Sequence, residues 1–278
     1  MKRYLDAKQD ERVLSLLGGI PYKVVPHWYN ATVRPLYLDL ILPKQVENRH
    51  DLPVIIWFCG GAFSVMDREV WLPTLIDYAK TGYAVACVDY RTSPQYPFPA
   101  PVEDAKAAIR WLRAHAGEYG LDPEHFVAMG ESAGGYLACM AALGGSEFDV
   151  GENLDQSSSI QGVVNYYGKV DYALCEQYKG SDRRAIEDFL GGNSDPTLPE
   201  RMSCRNLVDR ESPPMLIIHG DADPLVPLSE SEALYEALQR CGVRSELCIL
   251  KGAGHGEDVF YQPPIRRIIL DFLAEVLH

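Results

Sequence analysis

The sequence is short of positive charge. Its 278 residues include 26 Lys and Arg against 39 Asp and Glu, a formal net charge of -13. Such a surface repels phosphate backbones and anionic lipids, so no nucleic-acid partner and no membrane partner is expected, and a neutral or cationic small substrate suits it better. Long apolar runs are also lacking. No stretch approaches the length of a membrane span, and the opening "MKRYLDAKQDERVLSLLGG" has no unbroken apolar core of a secretory signal, so a cytoplasmic protein is expected. The seven cysteines, Cys59, Cys87, Cys139, Cys175, Cys204, Cys241 and Cys248, form an odd set with no Cys-X-X-Cys pair and no metal-ligand spacing. Several sit in apolar runs and read as reduced thiols packed as small hydrophobes, with no structural disulfide and no metal expected.

What is present is an alternation of two periods. Short apolar runs beginning at residues 53, 83, 125, 160, 213 and 246 end in Gly or Asp turns and read as buried strands. Arg34 to Leu42 alternates toward a core as an early edge strand. Between the runs lie helical patterns: Val102, Ala105, Ile109 and Leu112 share one face, and Ser229 with Glu232 reads as a capping box for the helix carrying Leu234 and Leu238. A final helix spaces Ile265, Ile268, Ile269, Phe272, Leu273 and Val276 along one stripe. Alternation of this kind implies an α/β protein with a mostly parallel central sheet flanked by helices and functional loops at the carboxyl ends of the strands. Residues from about 171 to 212 break the pattern and are expected to form a small cap insertion within a single domain spanning 1–278.

At one strand-to-helix junction stands "MGESAGG", in which Gly130 and Gly134 flank Ser132 at Gly-X-Ser-X-Gly spacing. A turn this tight strains its central residue, and the glycines remove side chains that would clash, which suits an exposed nucleophile better than a helix-capping serine. Serine needs a base and the base needs an acid. His255, in the glycine-rich "KGAGHGE" loop after the last strand, is the candidate base. His219, still at a strand end in "IIHGD", is read as shaping the turn. Asp223 in "HGDADPLVP" is the candidate acid, with Asp221 assigned to the turn backbone. "WFCGGAF" offers the backbone N–H groups of Gly61 and Ala62 as oxyanion donors beside that of Ala133. The aromatic residues Trp28, Phe63, Tyr166, Tyr167 and Phe260 are candidates for substrate contact, although such residues at strand ends also serve as core.

These motifs together resemble the α/β-hydrolase superfamily, in particular the esterase branch of hormone-sensitive-lipase-like carboxylesterases and bacterial bifunctional acetylxylan and feruloyl esterases. "GESAGG" is similar to the branch's nucleophile motif, "CGGAF" to its His-Gly-Gly-Gly-aromatic motif, the block from Asp89 to Leu112 to its Tyr-Arg-and-Asp block, and "HGDADPLVP" and "GAGHG" to its acid and base loops. Cys59 stands where the family has histidine and Ala62 where it has a third glycine, which leaves open how that loop is held. The resemblance implies a carboxylic ester hydrolase acting through an acyl-enzyme without a cofactor, with Ser132 as nucleophile, His255 as base, Asp223 as acid, and Gly61, Ala62 and Ala133 as oxyanion donors. It further implies a small-molecule ester as partner, such as an acetylated or feruloylated plant oligosaccharide. Two rival readings remain: a serine peptidase or amidase on the same triad, and a non-catalytic ligand-binding protein on the hydrolase scaffold.

Overall fold

Alternating side chains along the central strands create two cores, one on each side of a single sheet. The computed structural model describes residues 1–6, 12–44, 51–172, 180–193 and 195–277. The strands are β1 (Leu14–His27), β2 (Thr32–Pro43), β3 (Leu52–Phe58), β4 (Ala84–Val88), β5 (Leu121–Glu131), β6 (Gly162–Tyr166), β7 (Met215–Gly220) and β8 (Ser245–Leu250). They form one 8-stranded sheet in the order β1-β2-β4-β3-β5-β6-β7-β8. β2 runs antiparallel to both β1 and β4, and every other pairing is parallel.

The period of two is visible in β3. Val54, Ile56 and Phe58 point into one core and Ile55 and Trp57 into the other. The helices are α1 (Leu72–Thr81), α2 (Ala100–Ala114), α3 (Ala116–Tyr119), α4 (Ala133–Leu143), α5 (Gly180–Leu190), α6 (Leu198–Met202), α7 (Cys204–Leu207), α8 (Leu228–Arg240) and α9 (Pro263–Val276). The first core takes Val102, Ala105, Ile109 and Leu112 from α2, Tyr136 and Leu137 from α4, and Leu234 and Leu238 from α8. The second takes Leu75 and Tyr78 from α1 and Ile265, Ile269, Phe272 and Leu273 from α9. This is the α/β-hydrolase layout, mostly parallel and covered on both faces. No helix among the described residues is long and apolar enough to cross a membrane.

The structure departs from the sequence reading in two places. β1 starts at Leu14, well before the edge strand read at Arg34 to Leu42, and pairs with β2 from Leu14↔Pro43 to His27↔Thr32 with register shifts between Leu17 and Ile20 and between Pro21 and Lys23. The capping box at Ser229 and Glu232 does not form: α8 begins at Leu228 with Pro227 as N-cap and no side-chain cap bond. The loop before it is held by Asp223 instead, which accepts the Val226 N–H, so the entry into the helix is set upstream of Ser229. The expected insertion at about 171–212 contains α5, α6 and α7, with residues 173–179 and 194, including Cys175, outside the described residues. The described cysteines are all free thiols.

A buried carboxylate ties the edge hairpin to the body. Asp104 on α2 is fully buried, and Oδ1 accepts from Lys23 Nζ at 2.6 Å while Oδ2 accepts from Arg91 N at 2.9 Å and Arg91 Nε at 2.7 Å. Arg91 also reaches Glu103 Oε2 at 2.8 Å. Arg91 and Asp104 are the arginine and aspartate of the block from Asp89 to Leu112, which thereby acquires a physical reason. Removing one partner of such a buried array leaves the other charges uncompensated, so Asp104→Ala is expected to cost about 3–5 kcal/mol of stability, measured by urea unfolding.

Candidate active site

The site forms where β5 ends. Ser132 adopts φ 54° and ψ -119°, outside the regions comfortable for an L-residue, and α4 starts at the next residue. Its N–H donates to Tyr166 O at 2.9 Å and its carbonyl accepts from Tyr136 N at 3.1 Å, so the strained residue is tied to β6 on one side and to the first turn of α4 on the other. A Cβ at Gly134 would strike the Phe58 carbonyl, and one at Gly130 would strike the carbonyl of Gly134. Both glycines are therefore required by close backbone approach.

Loops after β7 and β8 bring the remaining groups to Ser132. The Ser132 hydroxyl lies 2.9 Å from His255 Nε2, and His255 Nδ1 lies 2.6 Å from Asp223 Oδ2. Asp223 Oδ1 accepts from Leu225 N at 2.8 Å and Val226 N at 2.9 Å, which fixes the carboxylate within its own turn. Burial opposes ionisation here, but hydrogen bonds from His219 and His255 outweigh it and hold the Asp223 carboxyl well below the usual carboxylate range. Asp221 Oδ1 accepts from Gly252 N, in the loop after β8, at 2.6 Å. This arrangement can pass a proton from Ser132 to His255 while the acid stays charged.

On the far side of the serine, the loop after β3 doubles back. Gly61 has φ 128° and Ala62 φ 53°. A Cβ at Gly61 would collide with the Val65 carbonyl, whereas Ala62 accepts the left-handed conformation with its methyl group in place. Glu131, beside the serine, is what holds this loop. Its Oε1 accepts from Gly60 N at 2.5 Å and from the Trp71 indole at 3.3 Å, with Cys59 Sγ at 3.8 Å. Tyr90 adds a hydrogen bond to Cys59 O at 2.6 Å. Burial and the neighbouring Glu131 push the Cys59 thiol up to about 12, so it stays protonated where the resembling family carries histidine. Burial also raises the Glu131 carboxyl above its ordinary value, and the Gly60 and Trp71 donors draw it part of the way back.

The cavity at Ser132 has a volume of about 90 Å³ and is lined by Ala62, Phe63, Ala133, Ile186, Leu225 and His255, among others. Gly61 is not in that lining. Phe63 is, and its ring stacks on Phe189 of α5 at 3.8 Å between centroids. Four other aromatic candidates lie elsewhere. Trp28 sits at the β1–β2 turn, 63% exposed, in a separate depression with Tyr29 and Tyr96, because that hairpin forms the opposite edge of the sheet. Tyr166 is buried in the second core, packed edge-on against Trp57, because it is the last residue of a strand covered on both faces. Tyr167 is buried behind His255, with its ring 4.6 Å from the imidazole and its hydroxyl 2.6 Å from that of Tyr261, and Phe260 is buried against Tyr167. The sequence reading missed Glu131, Lys169 and Ile186 at this site. Glu131 carried a signal, since it lies inside the quoted motif. Lys169 and Ile186 carried none, because the loop after β6 and helix α5 meet at the cavity only through the fold.

An 8-stranded, mostly parallel sheet with Ser132, His255 and Asp223 at its carboxyl edge defines a protein of the α/β-hydrolase superfamily. Within it the chain belongs to the BD-FAE family, whose model matches residues 38–238. It is 30% identical over 257 residues to Esterase LipQ of Mycobacterium tuberculosis, covering 89% of this chain and 61% of LipQ, so it spans about three fifths of that relative. Among solved structures it is similar to a truncated carbohydrate esterase from gut microbiota, with a TM-score of 0.81, 26% identity and coverage of 96% of this chain and 98% of that one. It is likewise similar to an acetyl ester-xyloside bifunctional hydrolase from Caldicellulosiruptor lactoaceticus, with a TM-score of 0.78, 25% identity and coverage of 93% and 96%.

Two outcomes follow from this geometry. Glu131→Ala frees the loop that presents Ala62, and the rate of Ser132 labelling by a fluorophosphonate is expected to fall about a hundredfold, while Glu131→Gln, which keeps an acceptor, stays within about tenfold of wild type. Asp223, with its depressed folded-state value, stabilises the fold above the ordinary Asp value of about 3.9. That contribution is lost as pH falls through the depressed value, so in urea unfolding the advantage of wild type over Asp223→Asn is expected to shrink below about pH 4.

Proposed function

We propose that this chain is a serine carboxylic ester hydrolase that works through an acyl-enzyme on short acyl esters, with acetylated plant oligosaccharides as the substrate class. The observation that supports it most directly is the hydrogen-bonded series Ser132, His255, Asp223 at an apolar cavity lined by Ala62 and Ala133. In this reading Ser132 Oγ attacks the ester carbonyl as His255 Nε2 takes its proton. The N–H groups of Gly61, Ala62 and Ala133 face the developing oxyanion, in a turn set by the positive-φ backbone of Gly61 and Ala62. His255 then protonates the leaving alcohol, and a water deprotonated by the same nitrogen releases the acid.

Apolar side chains, among them Phe63, Ile186, Leu225 and Val226, dominate the cavity wall, which suits the acyl side of an ester. α5 contributes Ala185 and Ile186 to that wall, which supports reading the segment at about 171–212 as a small cap. Among the described residues no carboxylate lines the cavity, so nothing there would hold the ammonium end of a peptide, and the ester reading is favoured over a peptidase. The carbohydrate part rests on the solved relatives named as a carbohydrate esterase and an acetyl ester-xyloside hydrolase, and a neutral sugar is compatible with a net charge of -13.

Initial rates on nitrophenyl acetate, nitrophenyl butyrate and acetylated xylo-oligosaccharides test the reading. Ser132→Ala is expected to lower kcat about a millionfold without loss of fold, and Asp223→Asn about ten-thousandfold. Activity retained by folded Ser132→Ala removes the mechanism. Turnover of the nitrophenyl esters alone retains it and discards the oligosaccharide.

A further inference from the structure

Asp223 has a second histidine neighbour that the mechanism above does not use. His219, the penultimate residue of β7, is fully buried. Its Nε2 lies 2.9 Å from Val226 O and 3.3 Å from Asp223 Oδ2. Both of those atoms are acceptors, so Nε2 must carry a hydrogen, shared between a shorter arm to Val226 and a longer arm to the carboxylate. The opposite nitrogen, Nδ1, lies 2.6 Å from the hydroxyl of Ser231 on α8, which supplies its proton to that lone pair. Asp223 Oδ2 thus stands between two imidazoles, His255 on the cavity side and His219 on the core side.

We propose that His219 is a positioning residue: held by Ser231 with its hydrogen on Nε2, it clamps the 223–226 turn through Val226 O and donates to Asp223 Oδ2, fixing the carboxylate against His255. The inference rests on the reading of Ser132, His255 and Asp223 as a catalytic triad and extends it by one layer. Its physical content is that all the hydrogen bonds to Asp223 converge. Leu225 and Val226 hold Oδ1, and His219 leaves Oδ2 a single remaining direction, toward His255 Nδ1. Without His219 the carboxylate can rotate about its own turn, and its more basic oxygen holds a protonated His255 more firmly. Other polar groups around the base and acid are Glu131 from β5, Tyr167 after β6 with Tyr261 behind it, and Lys169 at the cavity wall, whose Nζ lies 3.1 Å from Glu230 Oε1. None of these donates to Asp223 among the described residues.

The test compares His219→Met, which has no donor, with His219→Gln, whose amide nitrogen can occupy the place of Nε2. With nitrophenyl acetate, His219→Met is expected to lower kcat about tenfold to a hundredfold with KM within about twofold, and to move the acid limb of kcat/KM to higher pH. His219→Gln is expected to recover most of the rate and the original limb. A His219→Met enzyme with wild-type kcat overturns the proposal. So does one whose rate loss follows its loss of folded protein, with the acid limb unmoved, since that is packing alone. Should His219→Met fail to fold, nitrogen-detected NMR of the wild type decides: a hydrogen on His219 Nε2 throughout the active pH range supports the clamp, and a bare Nε2 overturns it. The NMR result needs no substrate, so it stands apart from the Ser132→Ala experiment, whose failure would strike the triad itself.

Discussion

Ser132 can occupy φ 54° only because the chain on both sides of it is held by other elements. A residue in that conformation costs on the order of 1–3 kcal/mol, and the cost is offset where the surroundings over-determine the backbone. Here β6 takes the serine N–H, the first turn of α4 takes its carbonyl, and the glycines at 130 and 134 let the turn lie directly on the end of β3. The same close approach puts the N-terminus of α4 beside the loop after β3, so the serine and the loop of Gly61 and Ala62 are brought together by one packing event. The parallel sheet then decides which loops can reach them, since β7 and β8 end on the same edge.

Two buried carboxylates near that serine are treated in opposite ways. Asp223 receives several convergent donors and is driven below the usual carboxylate range, whereas Glu131 receives fewer and is raised by burial. The first environment favours the charged carboxylate beside His255. The second places an acceptor where the loop needs to be anchored, and it also answers how a loop with Cys59 in place of histidine keeps its shape. The pattern follows a general rule of such sites: environments that separate the titration of two like groups also separate their roles.

Much of this was legible from residue order. The strands from β3 to β8 announced themselves as apolar runs ending in turns, and α2 and α9 as stripes, because both are governed by local period and by burial on known faces. The apparent capping box at Ser229 and Glu232 was local pattern without local consequence, since Asp223 sets the loop before α8. Trp28, Tyr166 and Tyr167 looked alike as aromatic residues near strand ends, yet one lies at a distant sheet edge, one in the core and one behind His255. Sequence neighbourhood does not encode which side of a strand end faces the cavity.

The sequence by itself determined the alternation of strands and helices, the strained glycine-flanked serine, and the chain order of serine, aspartate and histidine, because each is a matter of local sterics or of spacing along the chain. The tertiary structure alone decided that Glu131 anchors the loop of Gly60, that His219 sits behind Asp223, and that Ile186 and Lys169 meet at the cavity. Those are contacts between residues many positions apart, and their distances exist only after the sheet has set the register of its strands.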